Sequence, residues 1–342
     1  MPAIGFDISD KSIKFAELKN TSRGLRLGRF GAVSIPAGVV VSGKIMNPAA
    51  LSALLSKIRT ENRITAARVS LPEEQIYLFS IEIPIVAESE IRSSIELQLE
   101  EHVPLPPLEV VFDYAIVSAS KETYTIFVSA VSGDIIRSYL SAFNDAGIAP
   151  LSFELEAQAI ARLIKSAPEE TYLIIDFGET RTGIAIVEGG IVQFATTLEV
   201  GGDAITTIVA KSFNIPFEEA ERLKRAYGLE QSNEYKELYP TLLEAIAALR
   251  DEVNKNMIYW QTHKSDTDRE RGKISRIVLC GGNANLKGLA GYLAASLKTK
   301  VELADVWARM TDFSRYIPEM SAEQSQSFST ALGLALGAFD YD

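Results

Sequence analysis

Two stretches, half a chain apart, share one pattern of apolar and polar residues. Each begins with an apolar run that ends in aspartate, continues through a short polar turn and closes with a second apolar run. The stretches are IGFDISDKSIKFAEL at residues 4–18 and LIIDFGETRTGIAIV at residues 173–187. Because apolar runs of this length are typical of buried strands, each stretch predicts two strands joined by a tight turn. The chain therefore predicts a duplicated strand–turn–strand unit.

Other segments carry the apolar spacing of helices. In residues 48–59, Leu51 and Leu55 recur on one helical face, and residues 241–261 carry a longer stripe of the same kind. Such stripes predict helices that pack on a core. Residues 84–149, between the duplicated stretches, alternate strand-like and helix-like segments and predict a small inserted unit. Helices and strands therefore mix along the chain, and the predicted fold class is α/β.

The polar turns of the duplicated unit suit the binding of phosphate. The alignment pairs Asp7 with Asp176 at the end of the first apolar run, and the small residues Ser9 and Gly178 follow. A tight turn points backbone N–H groups into one concavity, and small residues let an anion come close. Mg²⁺ prefers one or two carboxylates together with phosphate oxygens, which strand-end aspartates can supply. Two facing turns would hold a triphosphate; the alternative is two ordinary hairpins with solvent-facing aspartates.

A third segment joins an apolar strand to a helix through two glycines. Residues 277–280 are apolar, Gly281 and Gly282 follow, and a helical stretch begins near residue 286. Bare backbone at the start of a helix lets a ligand lie close to the favourable helix dipole. Cys280, at the end of the strand, is expected to be a small buried apolar group rather than a nucleophile.

Composition narrows the function classes. Of 342 residues, 45 are Asp or Glu and 34 are Lys or Arg, and the net charge of −11 argues against a chain that coats nucleic acid. The one cysteine and two histidines argue against a disulfide framework, a zinc site and a histidine-dependent triad. No apolar stretch has the length of a membrane span, and the N-terminus does not have the pattern of a secretory signal. We therefore expect a cytosolic protein without direct membrane insertion.

These motifs, in this order, resemble the phosphate and adenosine motifs of the actin/Hsp70/sugar-kinase ATPase fold. Within that fold the chain is most similar to the FtsA branch, and in particular to the PilM family of type IV pilus assembly proteins. The stretches that carry the resemblance are IGFDISDKSIKFAEL, IPIVAESEIRSSIELQLEEHVPLPPLEVVFDY, AGIAPLSFELEAQAIAR, IIDFGETRTGIAI, VGGDAIT, EEAERLKRAYG, IVLCGGNANLKGLAGYL and STALGLALG. Each motif alone is weakly specific, but together they are specific and extend over nearly the whole chain.

The resemblance implies a site for ATP and Mg²⁺. The positions that match the family's nucleotide-binding motifs are Asp7, Asp10, Lys11, Ser12, Lys14, Asp176, Gly178, Glu179, Thr180, Arg181, Thr182, Gly201, Gly202, Asp203, Glu221, Lys224, Gly281, Gly282 and Asn283. Asp7 and Asp176 would hold Mg²⁺ through water, and the N–H groups of residues 10–12 and 179–181 would cradle the β and γ phosphates. Glu156 would position the attacking water in catalysis.

Two further points of this comparison concern particular residues. Gly201 and Gly202 would line the nucleotide, and Glu221 and Lys224 would flank the ribose and adenine. Without the family, the spacing of Glu221 and Lys224 favours a surface ion pair. Family members usually carry glycine where Ser9 stands. The serine leaves two alternatives, weaker nucleotide binding or a loop that relaxes around the side chain, and makes hydrolysis a weaker inference than binding.

The resemblance also implies an actin-like fold of two lobes, with subdomains 1A, 2A and 2B and an FtsA-type subdomain 1C. The implied divisions are residues 1–83 for 1A, completed by 150–170 and 306–342; 84–149 for 1C; 171–203 and 274–305 for 2A; and 204–273 for 2B.

The function implied is a cytoplasmic ATP-binding scaffold of the type IV pilus machinery, peripheral to the inner membrane. Its expected partner is a PilN-like bitopic membrane protein, whose short tail would dock in a groove between subdomains 1A and 1C. Slow ATP hydrolysis and self-association are left open. The alternatives are an FtsA-like cell-division protein, which usually continues into a membrane-binding helix, and a small-molecule kinase of the same fold, for which no carboxylate base stands out.

Overall fold

A computed structural model describes residues 3–22, 24–231, 233–263, 270–310 and 316–339. In chain order the strands of these residues are β1 Ala3–Ile8, β2 Ser12–Thr21, β3 Gly24–Ser34, β4 Val40–Val41, β5 Lys44–Ile45, β6 Ala66–Leu71, β7 Ile76–Pro84, β8 Val110–Ala119, β9 Thr123–Ser132, β10 Ala149–Leu155, β11 Thr171–Phe177, β12 Thr182–Glu188, β13 Ile191–Leu198, β14 Ile274–Cys280 and β15 Lys300–Leu303. The helices are α1 Pro48–Asn62, α2 Glu88–Glu96, α3 Leu99–His102, α4 Gly133–Asp145, α5 Glu156–Leu163, α6 Gly202–Phe213, α7 Phe217–Tyr227, α8 Leu238–Thr262, α9 Leu289–Leu297, α10 Ala322–Gln326 and α11 Ser329–Leu336. Short 3₁₀ turns lie at Glu73–Gln75 and Pro107–Glu109.

Two five-stranded sheets have the same construction. The first has the order β10-β6-β1-β2-β3 and the second the order β13-β12-β11-β14-β15. In each sheet, three consecutive strands pair antiparallel, and two parallel strands then join the outer side of the first strand. We call these sheets, with their helices, the first lobe and the second lobe. The duplicated motif of the sequence is therefore a duplicated fold.

The two predicted hairpins are confirmed as β1–β2 and β11–β12. Asp7 lies opposite Lys14 in the first hairpin, and Asp176 lies opposite Gly183 in the second. Each hairpin continues into a third antiparallel strand, β3 or β13, which the sequence did not predict. Most residues of both strands are half-buried whichever face they are on, so their apolar residues do not alternate clearly with polar ones.

A third sheet, with the order β7-β9-β8, is antiparallel throughout and packs against α2 and α3. It begins at Ile76, ahead of residue 84, where the sequence places the start of the inserted unit. Helix α4 lies within that predicted unit, but its Tyr139 and Phe143 are buried in the core of the first lobe. The division into subdomains remains a prediction, and residues 1–2, 23, 232, 264–269, 311–315 and 340–342 of its ranges lie outside the described residues.

The predicted helices have clear local causes. Helix α1 begins at Pro48 because Asn47 caps it, accepting the N–H of Ala50 at 3.1 Å, and proline fits the first helical position. The long apolar stripe forms α8, and Leu242 and Leu249 bury it in the core of the second lobe. Both stripes therefore pack on a core, as the sequence predicted.

Helices α5 and α11 lie together between the two five-stranded sheets. Their buried residues share one core with Leu18 of the first sheet and Ile174 of the second. The helices approach so closely that a Cβ at Gly333 would lie 1.9 Å from the carbonyl oxygen of Ala159. This helix pair thus joins the lobes and forms the floor from which the space between them opens.

Candidate functional site

The aspartates that end β1 and β11 line one cleft between the two lobes. The cleft encloses about 300 Å³, and both Asp7 and Asp176 contribute to its wall. The other residues predicted for the site that line it are Ser12, Lys14, Glu156, Gly178, Glu179, Thr180, Arg181, Gly202, Asp203, Glu221, Lys224, Gly281, Gly282 and Asn283. The two duplicated turns therefore face each other across a shared cavity.

The two turns are closed by equivalent backbone hydrogen bonds. The N–H of Ser9 donates to the carbonyl of Ser12 at 2.9 Å, and the N–H of Gly178 donates to the carbonyl of Arg181 at 3.0 Å. Side chains make the difference between them. The hydroxyl of Ser9 accepts the N–H of Ser12 at 3.2 Å. The first turn thus engages within itself one of the N–H groups expected to hold phosphate.

Some residues predicted for the site are absent from the cleft wall of the described structure, and each has a local reason. The carboxylate of Asp10 accepts the N–H groups of Ser42 and Gly43, at 3.1 and 3.3 Å. The hydroxyl of Thr182 donates to the carbonyl of Val200 at 2.6 Å. These groups are engaged away from the cavity.

Gly201 and Lys11 also differ from their predicted positions. A Cβ at Gly201 would lie 2.4 Å from the carbonyl oxygen of Glu179, so this glycine lets the second turn pack against the start of α6. Lys11 pairs with Glu179 at 3.2 Å and with Asp203, both on the second lobe. Gly201 therefore supports the turn from behind, and Lys11 bridges the lobes.

Sequence reasoning missed part of the wall. The missed lining residues include Glu73, Glu74, Thr197, Phe217, Arg225, Gln326, Ser327, Ser329 and Thr330. One signal was available for the two glutamates. They follow directly after β6, which is parallel to β1, and the carboxyl ends of parallel strands meet at one edge of a sheet.

Four carboxyl groups converge at the back of the cleft, on Asp7, Glu73, Glu156 and Asp176. Burial raises the pKa of Asp7 and of Glu73, and burial together with the charge of Glu73 raises the pKa of Glu156 well above its usual range. Burial, followed by the charge of Asp7, raises the pKa of Asp176 to about 7. The negative charge of this cluster is therefore incompletely balanced.

The cleft wall as a whole also carries more acidic than basic residues, so a cation would balance its charge. Its acidic residues are Asp7, Glu73, Glu74, Glu156, Asp176, Glu179, Asp203 and Glu221, and its basic residues are Lys14, Arg181, Lys224 and Arg225. A bare polyphosphate would meet a net negative wall, whereas a divalent cation with a phosphate would balance it. The residues present therefore fit a magnesium–nucleotide complex.

At the other end of the cleft, a buried lysine ties three elements together. Lys224 is 2% exposed, and its Nζ lies 2.7 Å from the carboxylate of Glu221. The same Nζ donates to the carbonyl of Gly202 and to Oδ1 of Asn283, both at 3.1 Å. Although burial opposes it, hydrogen bonds from Lys224, Thr206 and the neighbouring arginine lower the pKa of Glu221 to about 2. The pair belongs to the cleft wall, with Lys224 buried and Glu221 partly exposed, and is not a surface ion pair.

A second cavity, of about 480 Å³, lies where the third sheet meets both lobes. We call it the apolar groove. It is lined by Leu71, Ile76, Val111, Phe112, Asp113, Tyr114, Ala115, Phe127, Ser129, Ala130, Val131, Ile136, Phe153, Glu154, Leu155, Gln158, Ile191 and Val192. Two of its sides are β8 and β10, each an edge strand of its sheet. Edge strands leave backbone groups free to pair with an added extended peptide.

Two classes of feature were not found in the part of the chain that the structure describes. None of its helices combines the length and apolar character of a membrane span. Nor is any group of three or more histidine, cysteine, aspartate or glutamate side chains within the described ranges close enough together to hold a metal ion directly, the four carboxyls of the cleft included.

Comparison with known proteins assigns the family. A family model described as type IV pilus assembly protein PilM matches residues 5–339. The chain belongs to the PilM family. The family resemblance inferred from the sequence motifs is confirmed by this match.

Solved structures of other proteins share the fold of this chain. The PilM–PilN type IV pilus biogenesis complex matches with a TM-score of 0.80 and 24% identity, over 99% of this chain and 98% of that one. MreB5 of Spiroplasma citri bound to AMPPNP matches with a TM-score of 0.57 and 14% identity, over 98% of this chain and 95% of that one. The predicted actin-like ATPase fold is confirmed.

Curated sequences outside the PilM family include the cell division protein FtsA. FtsA of Staphylococcus epidermidis is 22% identical over 299 residues, which is 80% of this chain and 57% of FtsA. The alignment with FtsA of a second Staphylococcus epidermidis strain covers 46% of that protein. The chain therefore spans about half the length of these relatives. The similarity agrees with the FtsA branch inferred from the sequence.

Proposed function

We propose that the chain is an ATP-binding scaffold of a type IV pilus assembly complex. The observation that carries this proposal is the pair of strand-end aspartates, Asp7 and Asp176, on facing turns of one cleft. Membership of the PilM family supplies the pilus assembly context. The AMPPNP named with the MreB5 structure, which has the same fold, supports a nucleotide as the ligand of this cleft.

The cleft offers a position for each part of magnesium-bound ATP. Asp7 and Asp176 would hold Mg²⁺ through its waters, and the cation would neutralise charge on the phosphates when bound. The turn at Gly178 would receive phosphate oxygens, with Lys14 as a nearby cation. At the other end, Glu221 and Lys224 would flank the ribose and adenine.

The protonation of Glu156 favours a cleft that binds ATP over one that hydrolyses it rapidly. In hydrolysis it would orient water near the phosphate, as the family resemblance implies. Its carboxyl lies beside Glu73, and burial raises its pKa well above the usual range. A carboxyl that holds its proton tightly is a poor acceptor for the proton of attacking water. We therefore propose slow hydrolysis, so that occupancy of the cleft rather than rapid turnover is the signal.

The apolar groove is the proposed site for the partner. PilN is named with PilM in the solved complex that this fold resembles. An extended tail of a PilN-like membrane protein would lay apolar side chains in the groove and pair with the edge of β8 or β10. Such binding would hold the scaffold at the cytoplasmic face of the inner membrane without inserting it.

Calorimetry tests the nucleotide part of the proposal. Wild type is expected to bind ATP in the presence of Mg²⁺, and Asp7→Asn is expected to weaken that binding at least about tenfold, the effect of losing one charged contact. Asp305→Asn, a change of the same kind at an exposed position off the cleft wall, serves as the control. Equal binding by wild type and both variants would refute the proposed site.

A peptide titration tests the partner part. A synthetic peptide of the PilN-like tail is expected to bind wild type and to lose affinity for Val111→Asp, which places a charge at an exposed apolar position of the groove. A charge at the exposed Ile258, made by Ile258→Asp, is the matched control. If both variants bind the peptide as tightly as wild type, the groove is not the docking site.

A further inference from the structure

The cleft and the apolar groove share one wall. The segment that leaves β6 lines the groove with Leu71 and Ile76, and between them Glu73 and Glu74 line the cleft. The segment that joins β10 to α5 does the same. Its Glu154, Leu155 and Gln158 line the groove, whereas Glu156 lines the cleft. A displacement of either segment therefore changes both cavities.

The two segments are bound to each other. Strands β6 and β10 pair in parallel up to Leu71 and Leu155, just before the segments begin. Oε1 of Glu73 then accepts the N–H of Ala157, in the first turn of α5, at 2.7 Å. The carboxyls of Glu73 and Glu156 also lie beside each other in the cleft wall. The wall is thus one connected unit with Glu73 at its centre.

The wall is also attached to the second lobe on both of its faces. On the cleft face, Glu74 pairs with Arg181 of the second turn. On the groove face, the amide of Gln158 donates to the carbonyl of Gly190 and accepts the N–H of Val192, both at 3.1 Å. Since Val192 itself lines the groove, the groove includes residues on both sides of the cleft.

We propose that this wall links the two cavities, so that a ligand in the cleft and a peptide in the apolar groove strengthen each other's binding, with Glu73 as the positioning residue of the link. This inference rests on the proposed function. Either ligand would contact the same two segments and restrict their position. The ligand that binds second then loses less conformational entropy in restricting them, so the cooperativity is positive.

The residue chemistry explains why Glu73 is the centre of the link. A cation held near Asp7 and Asp176 would attract the partly negative side-chain oxygens of the neighbouring Glu73 and Glu156. Movement of Glu73 changes its hydrogen bond to Ala157, and with it the start of α5. Gln158, the next residue of α5 after Ala157, lines the groove. A change at the cation is thereby passed to the groove through a few contacts.

The experiment measures the affinity of each ligand in the absence and presence of the other. The probes are Mg²⁺ with AMPPNP, and a synthetic peptide of the PilN-like tail, both titrated into the full chain by calorimetry. Saturating nucleotide is expected to tighten peptide binding at least about fivefold, and saturating peptide must tighten nucleotide binding by the same factor.

Variants locate the link. Glu73→Ala removes the acceptor for the N–H of Ala157 and is expected to bring the coupling factor to about one. Glu73→Gln keeps an acceptor oxygen and is expected to keep most of the coupling. Glu82→Ala, at an exposed glutamate of β7, is the control and keeps it all. Gln158→Ala, on the groove face, tests the same wall by a second route and is expected to lower the factor.

The outcomes separate this inference from the function on which it rests. If wild type binds both ligands but each affinity is unchanged or weakened by the other, the inference is wrong and the proposed function stands. If wild type binds no nucleotide, both fail. If Glu73→Ala and Gln158→Ala, with melting temperatures showing that they fold, keep the full coupling factor, then the wall is not the link.

Discussion

At the scale of single residues, Ser9 distinguishes the two turns that face the cleft. Both turns close with the same backbone hydrogen bond, but the second carries Gly178 at the matching position. The hydroxyl of Ser9 accepts the N–H of Ser12, and the two hydroxyls also lie 3.2 Å apart. The departure from the family pattern noted in the sequence thus has a structural effect, because it engages an expected phosphate donor.

Removing this hydroxyl is expected to improve nucleotide binding. In Ser9→Gly the N–H of Ser12 becomes free, and one hydrogen bond to phosphate corresponds to about 0.5–1.5 kcal/mol, or roughly a two- to tenfold gain in affinity. Ser9→Ala is the matched variant, since it loses the hydroxyl but keeps Cβ. Similar gains in both, measured by calorimetry with magnesium-bound ATP, would assign the effect to the hydroxyl. Unchanged affinity in both would contradict it.

Asp176 makes a second residue-scale prediction, on pH. Its pKa is about 7 in the folded chain, against an ordinary value of 3.8, so the folded chain keeps a proton that the unfolded chain loses between those values. The free energy of unfolding therefore falls as pH rises through this window. The free energy of unfolding of Asp176→Asn is expected to exceed that of wild type by about 1–3 kcal/mol near pH 8 and to equal it near pH 4.

Denaturant unfolding across this pH range provides the measurement. The exposed Asp305→Asn variant is the control and is expected to follow wild type. Mg²⁺ with nucleotide is expected to stabilise wild type near pH 8 but not Asp176→Asn, since the cation balances the charge that the variant has lost. An Asp176→Asn curve parallel to that of wild type would show that burial of this carboxylate costs nothing.

At the scale of elements, the crossing of α5 and α11 sets the contact between the lobes. Gly333 allows that crossing, because a Cβ there would lie 1.9 Å from the carbonyl oxygen of Ala159. Gly333→Ala must push the helices apart and is expected to lower the free energy of unfolding by about 1–3 kcal/mol. Gly291→Ala in α9 is the matched variant, since nothing lies within 4 Å of its Cβ. It is expected to stabilise by up to about 1 kcal/mol.

Urea denaturation distinguishes these two glycines. Opposite signs for Gly333→Ala and Gly291→Ala would show that the effect comes from the helix crossing and not from helix propensity. A loss in both, or in neither, would contradict the packing argument. The variant at Gly333 is also expected to change the spacing of the lobes, because the helices that it separates form the floor of the cleft.

The sequence predicted those elements whose evidence is local. The Asp-ended apolar runs around Asp7 and Asp176 carry both their strands and their turns within fifteen residues, so the hairpins followed directly from pattern. Strands β3 and β13 did not follow, because residues that are half-buried on both faces have no clear alternation. Local pattern therefore predicts a strand well when one or both of its faces are fully buried, and poorly when both faces are half-buried.

The missed parts of the site depend on contacts between distant residues. Glu73 reaches the N–H of Ala157, which is 84 residues away along the chain. Gly201 was predicted to touch nucleotide, but the close approach it permits is to the backbone of Glu179. A glycine indicates that something comes near, and only the fold shows whether that neighbour is a ligand or the chain itself.

At the scale of the whole molecule, charged pairs connect the lobes across the mouth of the cleft. Lys11 of the first lobe pairs with Glu179 and Asp203 of the second. In the opposite sense, Arg181 of the second lobe pairs with Asp10 at 3.3 Å and with Glu74. A small set of ionic contacts thus joins the lobes at the cleft, in addition to the core that α5 and α11 share with both sheets.

Breaking one set of these contacts is expected to open the cleft. Arg181→Ala leaves two partly buried carboxylates without their partner and is expected to lower the free energy of unfolding by about 1–3 kcal/mol. Small-angle scattering is expected to give a larger radius of gyration for the variant than for wild type. Arg137→Ala, which breaks an exposed pair with Asp134, is the control and changes neither quantity. A compact Arg181→Ala variant would show that other contacts hold the lobes.

The position of Cys280 gives the chain a built-in chemical probe. It is the one thiol of the sequence, it is fully buried at the end of β14, and it pairs in register with Asp176. Burial, followed by the charge of that aspartate, raises the pKa of the thiol well above its usual range, so the folded chain resists alkylation. The rate of thiol labelling therefore reports how often the end of β14 opens to solvent. A nucleotide that steadies the neighbouring carboxylate must slow that rate, without any dye or engineered tag.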